Sequence, residues 1–336
     1  GQAFNFGSGV GANFGGMVNL SNNTFNLGGD NTSALTNATL NMGAGNVTTV
    51  DAGNQAVGNL TFNGGTMKFS NLPTGTVTTK TLNLTAGNVE LDQQNAGASG
   101  NLLVQDEGTT QQLISATSVN GSEGNLVLKD LAGNDLTSGT SNIVQGGNTV
   151  AVGTYSYGLA TRAAGSSAVD GLYATYRLSL LALQSGQTLT LAQNSGANGT
   201  SADMSAKLTG SGNLAIEAGN DLVSLSNDTN DYTGETSVNT GTLQAGSDNA
   251  LGQTSKLNLA DTTTFDLNGK TQTLGALNGA TGSTLNVNSG TLNLSNGGTS
   301  AGALTGAGQL NVNGGTLDVQ GANSGLSAAT AIANGA

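Results

Sequence analysis

Apolar and polar residues alternate with a period of two through most of this chain, in short runs closed by glycine. The segment LNVNSGTLNLSNGG starts at Leu285, and LNVNGGTLDVQGAN starts at Leu310. LTFNGGTMKFSN, from Leu60, has the same skeleton, and TLNLTAGNVELD carries Leu82 in the equivalent place. A second phrase recurs as LTGSGNLAI from Leu208, LNGATGSTLNV from Leu277 and LTGAGQLNV from Leu304. Alternation at that period turns one face inward and the other to water. Val, Ile, Leu, Phe and Thr fill the runs, while Gly, Asn, Asp and Ser fill the gaps, which is strand-and-turn chemistry.

A single strand pair would be a hairpin. Repetition at roughly 20–25 residues instead predicts a solenoid whose unit is one coil of short strands. The expected fold is all-β, a parallel β-helix with internal leucine ladders. About 23 residues per coil would give roughly 14 coils, and strands about 4.8 Å apart would make a rod of roughly 65–70 Å. The single proline, Pro73, sits in the turn-like NLPTG, where it removes no ladder donor.

The pattern fades from about Leu126 to Leu183. This divides the chain into coils over 1–125, an irregular or hairpin region over 126–185, and further coils over 186–336. The middle region holds four of the five tyrosines, Tyr155, Tyr157, Tyr173 and Tyr176, and both arginines, Arg162 and Arg177. Alternation persists in YATYRLSLLAL, which predicts a protruding β-hairpin or small β subdomain. Two readings of its aromatics stand side by side. They pack the hairpin on the coil beneath, or, with the arginines, they form a binding platform, since Tyr and Arg are enriched at interfaces.

Composition narrows the function. Only 8% of the 336 residues are charged, too few for the solvated faces of a helical bundle. Yet 36% are hydrophobic and regularly placed, enough to bury a continuous core. The net charge is −12, and the 8 basic residues are scattered singly. Nucleic acid is therefore excluded as a partner, because phosphate needs clustered bases. No apolar run is long enough for a membrane-spanning helix. No leader pattern opens the chain, so the expectation is that any signal peptide has been removed.

With no His and no Cys, Ser-His-Asp and Cys-His nucleophiles and His-ligated zinc are out of reach. Asp106 and Glu107 are adjacent, and on a strand they would face opposite ways, a poor acid–base pair. Asp228, Asp231 and Glu235 sit in DTNDYTGE, but Thr233 and Asn239 stand where a calcium loop needs Gly and Glu. GSGVGANFGG near Gly7 lacks the Lys-Ser/Thr of a phosphate-binding loop. No catalytic residues, metal or cofactor are expected. The stretch NDYTGETSVNTGTLQAG reads as one coil, with Val238, Leu243 and Ala245 inward and Gly234, Gly241 and Gly246 at corners.

Residues 208–320 resemble the passenger repeats of bacterial type V autotransporters of the AIDA and pertactin-like group. The resemblance is carried by NDYTGETSVNTGTLQAG (Asn230–Gly246), DNALG (Asp248–Gly252), FDLNGKTQTLGALNG (Phe265–Gly279) and LTGAGQLNVNGGTL (Leu304–Leu317). GLYATYRLSLLALQSGQTLTL also resembles a hairpin segment that precedes such repeats. The resemblance implies a right-handed, three-faced β-helix, exported and displayed at the bacterial surface or secreted. It further implies non-enzymatic adhesion to host glycans or extracellular-matrix proteins, or binding to another copy of itself in aggregation and biofilm. Anchoring would run through a C-terminal β-barrel absent from this chain, which ends mid-repeat and is expected to be a processed or truncated passenger. Two alternatives remain. One is a pectate-lyase-like enzyme acting on polysaccharide, as other β-helices do. The other is a passive β-helical spacer.

Overall fold

The computed structural model describes residues 14–51, 53–70, 76–92, 101–193, 201–323 and 325–333. Pro73, Gly7 and the final three residues lie outside them. Strand makes up 62% and helix 3%. Two compact units emerge, each a parallel β-solenoid, with about 14 turns in all and consistent with a right-handed β-helix. Residues of the 126–185 segment are shared between the two units.

The first unit takes Gly1–Gly97, Gly108–Gly139 and Ser156–Arg177. Strands Met17–Leu20, Asn31–Gly43, Gln55–Phe69, Val77–Leu91 and Thr109–Gly121 pair in parallel in that order. Because each coil repeats the alternation of the last, like residues stack. Leu20, Met42, Phe62 and Leu84 form one inward ladder, and Leu40, Leu60 and Leu82 form its neighbour. Met42, Phe62, Leu40, Leu60 and Leu82 are fully buried. Burying one such side chain contributes about 1.5–3 kcal/mol.

Within this unit the direction also reverses. Gly171–Tyr176 run antiparallel to Thr109–Ser115, and Ser156–Ala160 belong to the strand Asn148–Ala160 that pairs on the far side of Gly171–Leu183.

The second unit takes Ala98–Glu107, Thr140–Tyr155 and Leu178–Ala336. Strands Ser138–Gln145 and Asn148–Ala160 are joined by Gly146 and Gly147 at φ 57° and 82°, the two-residue link that matches hairpin twist. The expected hairpin is thus one corner of an antiparallel meander. Leu180–Leu183 then pair in parallel with Lys207–Gly210, and short coils follow. Val223, Leu243, Phe265, Leu285 and Leu304 stack as one ladder. Leu292 and Leu310 stack in a different sheet.

That placement corrects the 25-residue spacing read between Leu285 and Leu310. They lie on different faces, and side chains that hydrogen-bond between adjacent coils around them, such as Asn311 with Asn293, Asn278 with Asn258 and Asn288 with Asp266, are 18, 20 and 22 residues apart. The repeated phrase encodes strand, turn and strand, and such a corner can be built at more than one position around a coil.

A second correction concerns Asp106, expected on a strand. Leu102–Glu107 is a one-and-a-half-turn helix, its start capped by Asn101 Oδ1, which accepts from the Leu103 amide. Leu102, Leu103, Gln105 and Asp106 are buried. The Asp106 carboxylate accepts from the Ser205 and Ala206 amides at 2.6 and 2.7 Å, so it ties helix to coil within the second unit.

Thr236–Ala245 is one continuous strand with Val238, Leu243 and Ala245 buried. Of its expected corner glycines, only Gly241 has a positive φ, 74°. Gly234 is required for another reason, because a Cβ there would meet the Gly212 carbonyl at 2.1 Å.

Candidate binding surfaces

Stacking that aligns leucines inside also aligns polar residues outside. In the first unit Asn19, Asn41, Thr61, Asn83 and Asn120 pair strand to strand. Asn41 Nδ2 donates to Asn19 Oδ1 at 2.9 Å, Asn83 Nδ2 to Thr61 Oγ1 at 3.1 Å, and Asn120 Nδ2 to Asn83 Oδ1 at 2.9 Å. Thr39, Asn59, Thr81 and Ser118 form a second ladder two residues away on the same face, bonded by Asn59 Nδ2 to Thr39 Oγ1 and Ser118 Oγ to Thr81 Oγ1. The result is a sheet face with polar groups about 4.8 Å apart across strands and roughly 6.7 Å along them.

The second unit carries shorter ladders. Asn278 Nδ2 donates to Asn258 Oδ1, and Asn311 Nδ2 to Asn293 Oδ1. Among its described residues two ion pairs form, Lys207 with Asp231 at 2.7 Å and Lys256 with Glu235 at 3.0 Å. Asp231 and Glu235 are held below the usual carboxylate range, chiefly by hydrogen bonds from Lys207 and Asn258 respectively. Among the described residues no three His, Cys, Asp or Glu side chains group as a metal site.

Beside these pairs a polar groove of about 480 Å³ crosses successive turns of the second unit. Asp228, Asn249, Gln253, Ser255, Thr273 and Ser295 line it. Behind it Tyr232, fully buried, shares a hydrogen bond with Thr236 Oγ1, which in turn meets Thr254 Oγ1. Burial pushes the Tyr232 phenol up to about 12.

Of the six residues flagged in the middle region, Tyr155 and Tyr173 are buried. Tyr155, in the second unit, is fully buried and donates to Gln105 Oε1 at 2.7 Å. In the first unit Tyr173 is buried, donates to Asp170 Oδ1 at 2.8 Å and accepts from Gln112 Nε2. Burial, then the Asp170 carboxylate, pushes its phenol up to about 12. Tyr176 is half-buried opposite Thr109, while Arg162 and Arg177 are exposed. Tyr157 is half-buried and lines a cleft. Polar ladders facing water were expected from the stacking of coils, but the polar groove did not stand out in the sequence, because its members come from coils about 20 residues apart.

Compared with known proteins, the chain is 40% identical over 98% of its length to the uncharacterized lipoprotein YdeK of Escherichia coli K12, covering 27% of that protein. It is 39% identical over 96% of its length to the uncharacterized protein YuaQ of the same organism, covering 25% of it. The chain thus spans about a quarter of the length of the curated relatives it matches. No family model matches, and no solved structure matches.

Proposed function

We propose that this chain is the display portion of a non-enzymatic cell-envelope adhesin of the autotransporter-passenger kind. The Asn/Thr ladder face of the first unit carries that reading. Each of its groups makes a weak hydrogen bond in water, but a repeating array engages a repeating partner many times over, so affinity accumulates through multivalency. A glycan chain, an extended matrix protein or the same face of another copy all offer such a repeat. The similarity to a protein named as a lipoprotein supports an envelope location. The side-chain carboxylates also fit this reading. Asp106, Asp231 and Glu235 are committed to structural bonds.

The test uses beads coated with the chain, assayed for self-aggregation and for capture by glycan and matrix-protein arrays at 50 mM and 1 M salt. Specific capture or aggregation that persists in high salt is the expected result, since uncharged ladders are not screened. Inert beads would defeat the proposal and leave a spacer. Depolymerisation of uronic-acid polymers by the soluble chain would replace it with an enzyme.

A further inference from the structure

The polar groove of the second unit forms where its coils change their build. Early coils carry turns at 226–235 and 246–255. Later coils carry the strands Thr271–Leu274 and Thr291–Leu294 beside them, with Asn249 N donating to Thr271 O and Leu251 N to Gln272 Oε1. From those strands the chain reaches its next strand within one residue, Gly275, or two, Ser295 and Asn296. The groove is lined from both sides of this step. Gly275 keeps the middle of its floor bare, because a Cβ there would collide with the Ser255 carbonyl. Gln253 N donates to Tyr232 O, Gly275 N to Thr254 O and Ser295 N to Leu274 O, each at 2.9 Å. Buried Asn230 ties one wall, accepting from Leu208 N and donating to Ala250 O. The groove is thus built before a ligand arrives, and binding orders little.

Its polar side chains are also unspent. Ladder amides and hydroxyls bond one another. The side chains of Asp228, Asn249, Gln253, Ser255 and Ser295 make no hydrogen bond to other described residues. A ligand meets them without breaking a bond within the protein.

The mix of groups says what kind of ligand. Asn, Gln and Ser each donate and accept, while a carboxylate only accepts. Sugar hydroxyls also do both, and two neighbouring ones can donate to a single carboxylate. Anionic ligands are disfavoured, since Asp228 is the one charged residue of the lining and Lys256, next to Ser255, is held by Glu235. An apolar ligand would find only Leu274, itself buried. A peptide added as a strand needs a free backbone edge, whereas the backbone of this floor is bonded from coil to coil. The volume of about 480 Å³ lies within the usual range for small-molecule sites, about 300–1,000 Å³. Coils about 4.8 Å apart also advance by nearly the step of one ring in a pyranose chain.

We infer that this groove binds a short uncharged oligosaccharide lying across successive coils. Asp228 accepts from a pair of its hydroxyls, and Asn249, Gln253, Ser255 and Ser295 bond the others. The inference deepens the glycan side of the adhesin reading at a second site. It uses neither ladder, so the two can fail separately.

The test is isothermal titration of the full chain with neutral trisaccharides of glucose, galactose, mannose and N-acetylglucosamine, and with trigalacturonate as the anionic counterpart. At least one neutral trisaccharide is expected to bind at least tenfold more tightly than trigalacturonate. Asp228→Ala and Ser255→Leu/Ser295→Leu, all at exposed positions, should each weaken it at least tenfold with an unchanged melting temperature. Asn41→Asp/Asn83→Asp/Asn120→Asp, in the first-unit ladder, should bind it as the wild type does. Loss of binding in that ladder variant would put the sugar on the ladder and overturn the inference. No binding of any neutral trisaccharide, equal binding of trigalacturonate, or unaltered affinity in both groove variants would overturn it as well.

Discussion

In residues 17–91 the repeat legible in the sequence and the coil of the structure are the same thing; in residues 257–312 they are not. Leu60 and Leu82 head matching phrases and pair directly. Leu285 and Leu310 head phrases that match at least as well, yet Leu285 pairs with Leu304 and Leu310 with Leu292. Local sequence specifies a strand–turn–strand corner. Which face of the coil that corner occupies depends on the number of residues between corners, and the count differs between the two regions.

The largest expected effect comes from deletions. Removing Leu60–Thr81 joins Asn59 to Leu82 and keeps the first unit's ladders in register, so a cooperative melt should survive. In the second unit, removing Leu257–Ala276 brings Leu277 onto the Leu257 position, in line with the observed pairing, and should do the same. Removing Leu257–Thr281 takes out the 25 residues suggested by phrase matching. It turns Leu285 to the outer face, and an odd slip exposes every apolar residue after it. Circular dichroism melts should show that variant losing its second-unit transition.

Next in size, Phe62→Ala and Phe265→Ala should each cost about 3–5 kcal/mol, read by urea denaturation, since both rings are fully or almost fully buried in their ladders. If the units unfold separately, each variant should shift one transition and leave the other in place.

Alkaline stability is the third test. Tyr232 and Tyr173 have folded phenols near 12, above the unfolded value of about 10. Their contribution is fully present below pH 10 and is lost as pH rises through 12. Two pH units for buried Tyr232 correspond to roughly 2–3 kcal/mol. Tyr232→Phe should flatten the pH 10–12 decline of the second unit, and Tyr173→Phe that of the first. The smallest effect belongs to Lys256→Met, which breaks a half-exposed pair and should cost about 0–1 kcal/mol.

Alternation made the solenoid legible, since period-two runs with glycine turns permit little else at this charge density. The register of the C-terminal coils was hidden, as were the partners of the tyrosines. Tyr155 meets Gln105 and Tyr173 meets Gln112, 50 and 61 residues away, so a cluster of tyrosines in sequence says nothing of whether their hydroxyls are spent. Asp106 was misplaced for a related reason. LLVQDE is too short to show a helical period, and its burial comes from Ser205 and Ala206 on a distant coil. That polar ladders would face water followed from the stacking of coils, but which Asn and Thr share one face depends on the register of each coil.

The most direct test of the account is to break that face without touching the core. Asn41→Asp, Asn83→Asp and Asn120→Asp together place like charges along one ladder while leaving the leucines beneath in place. Bead aggregation and array capture should fall at least tenfold, with the melting temperature of the first unit little changed. Undiminished capture by a folded triple variant would contradict the claim that the ladder face is where this protein binds.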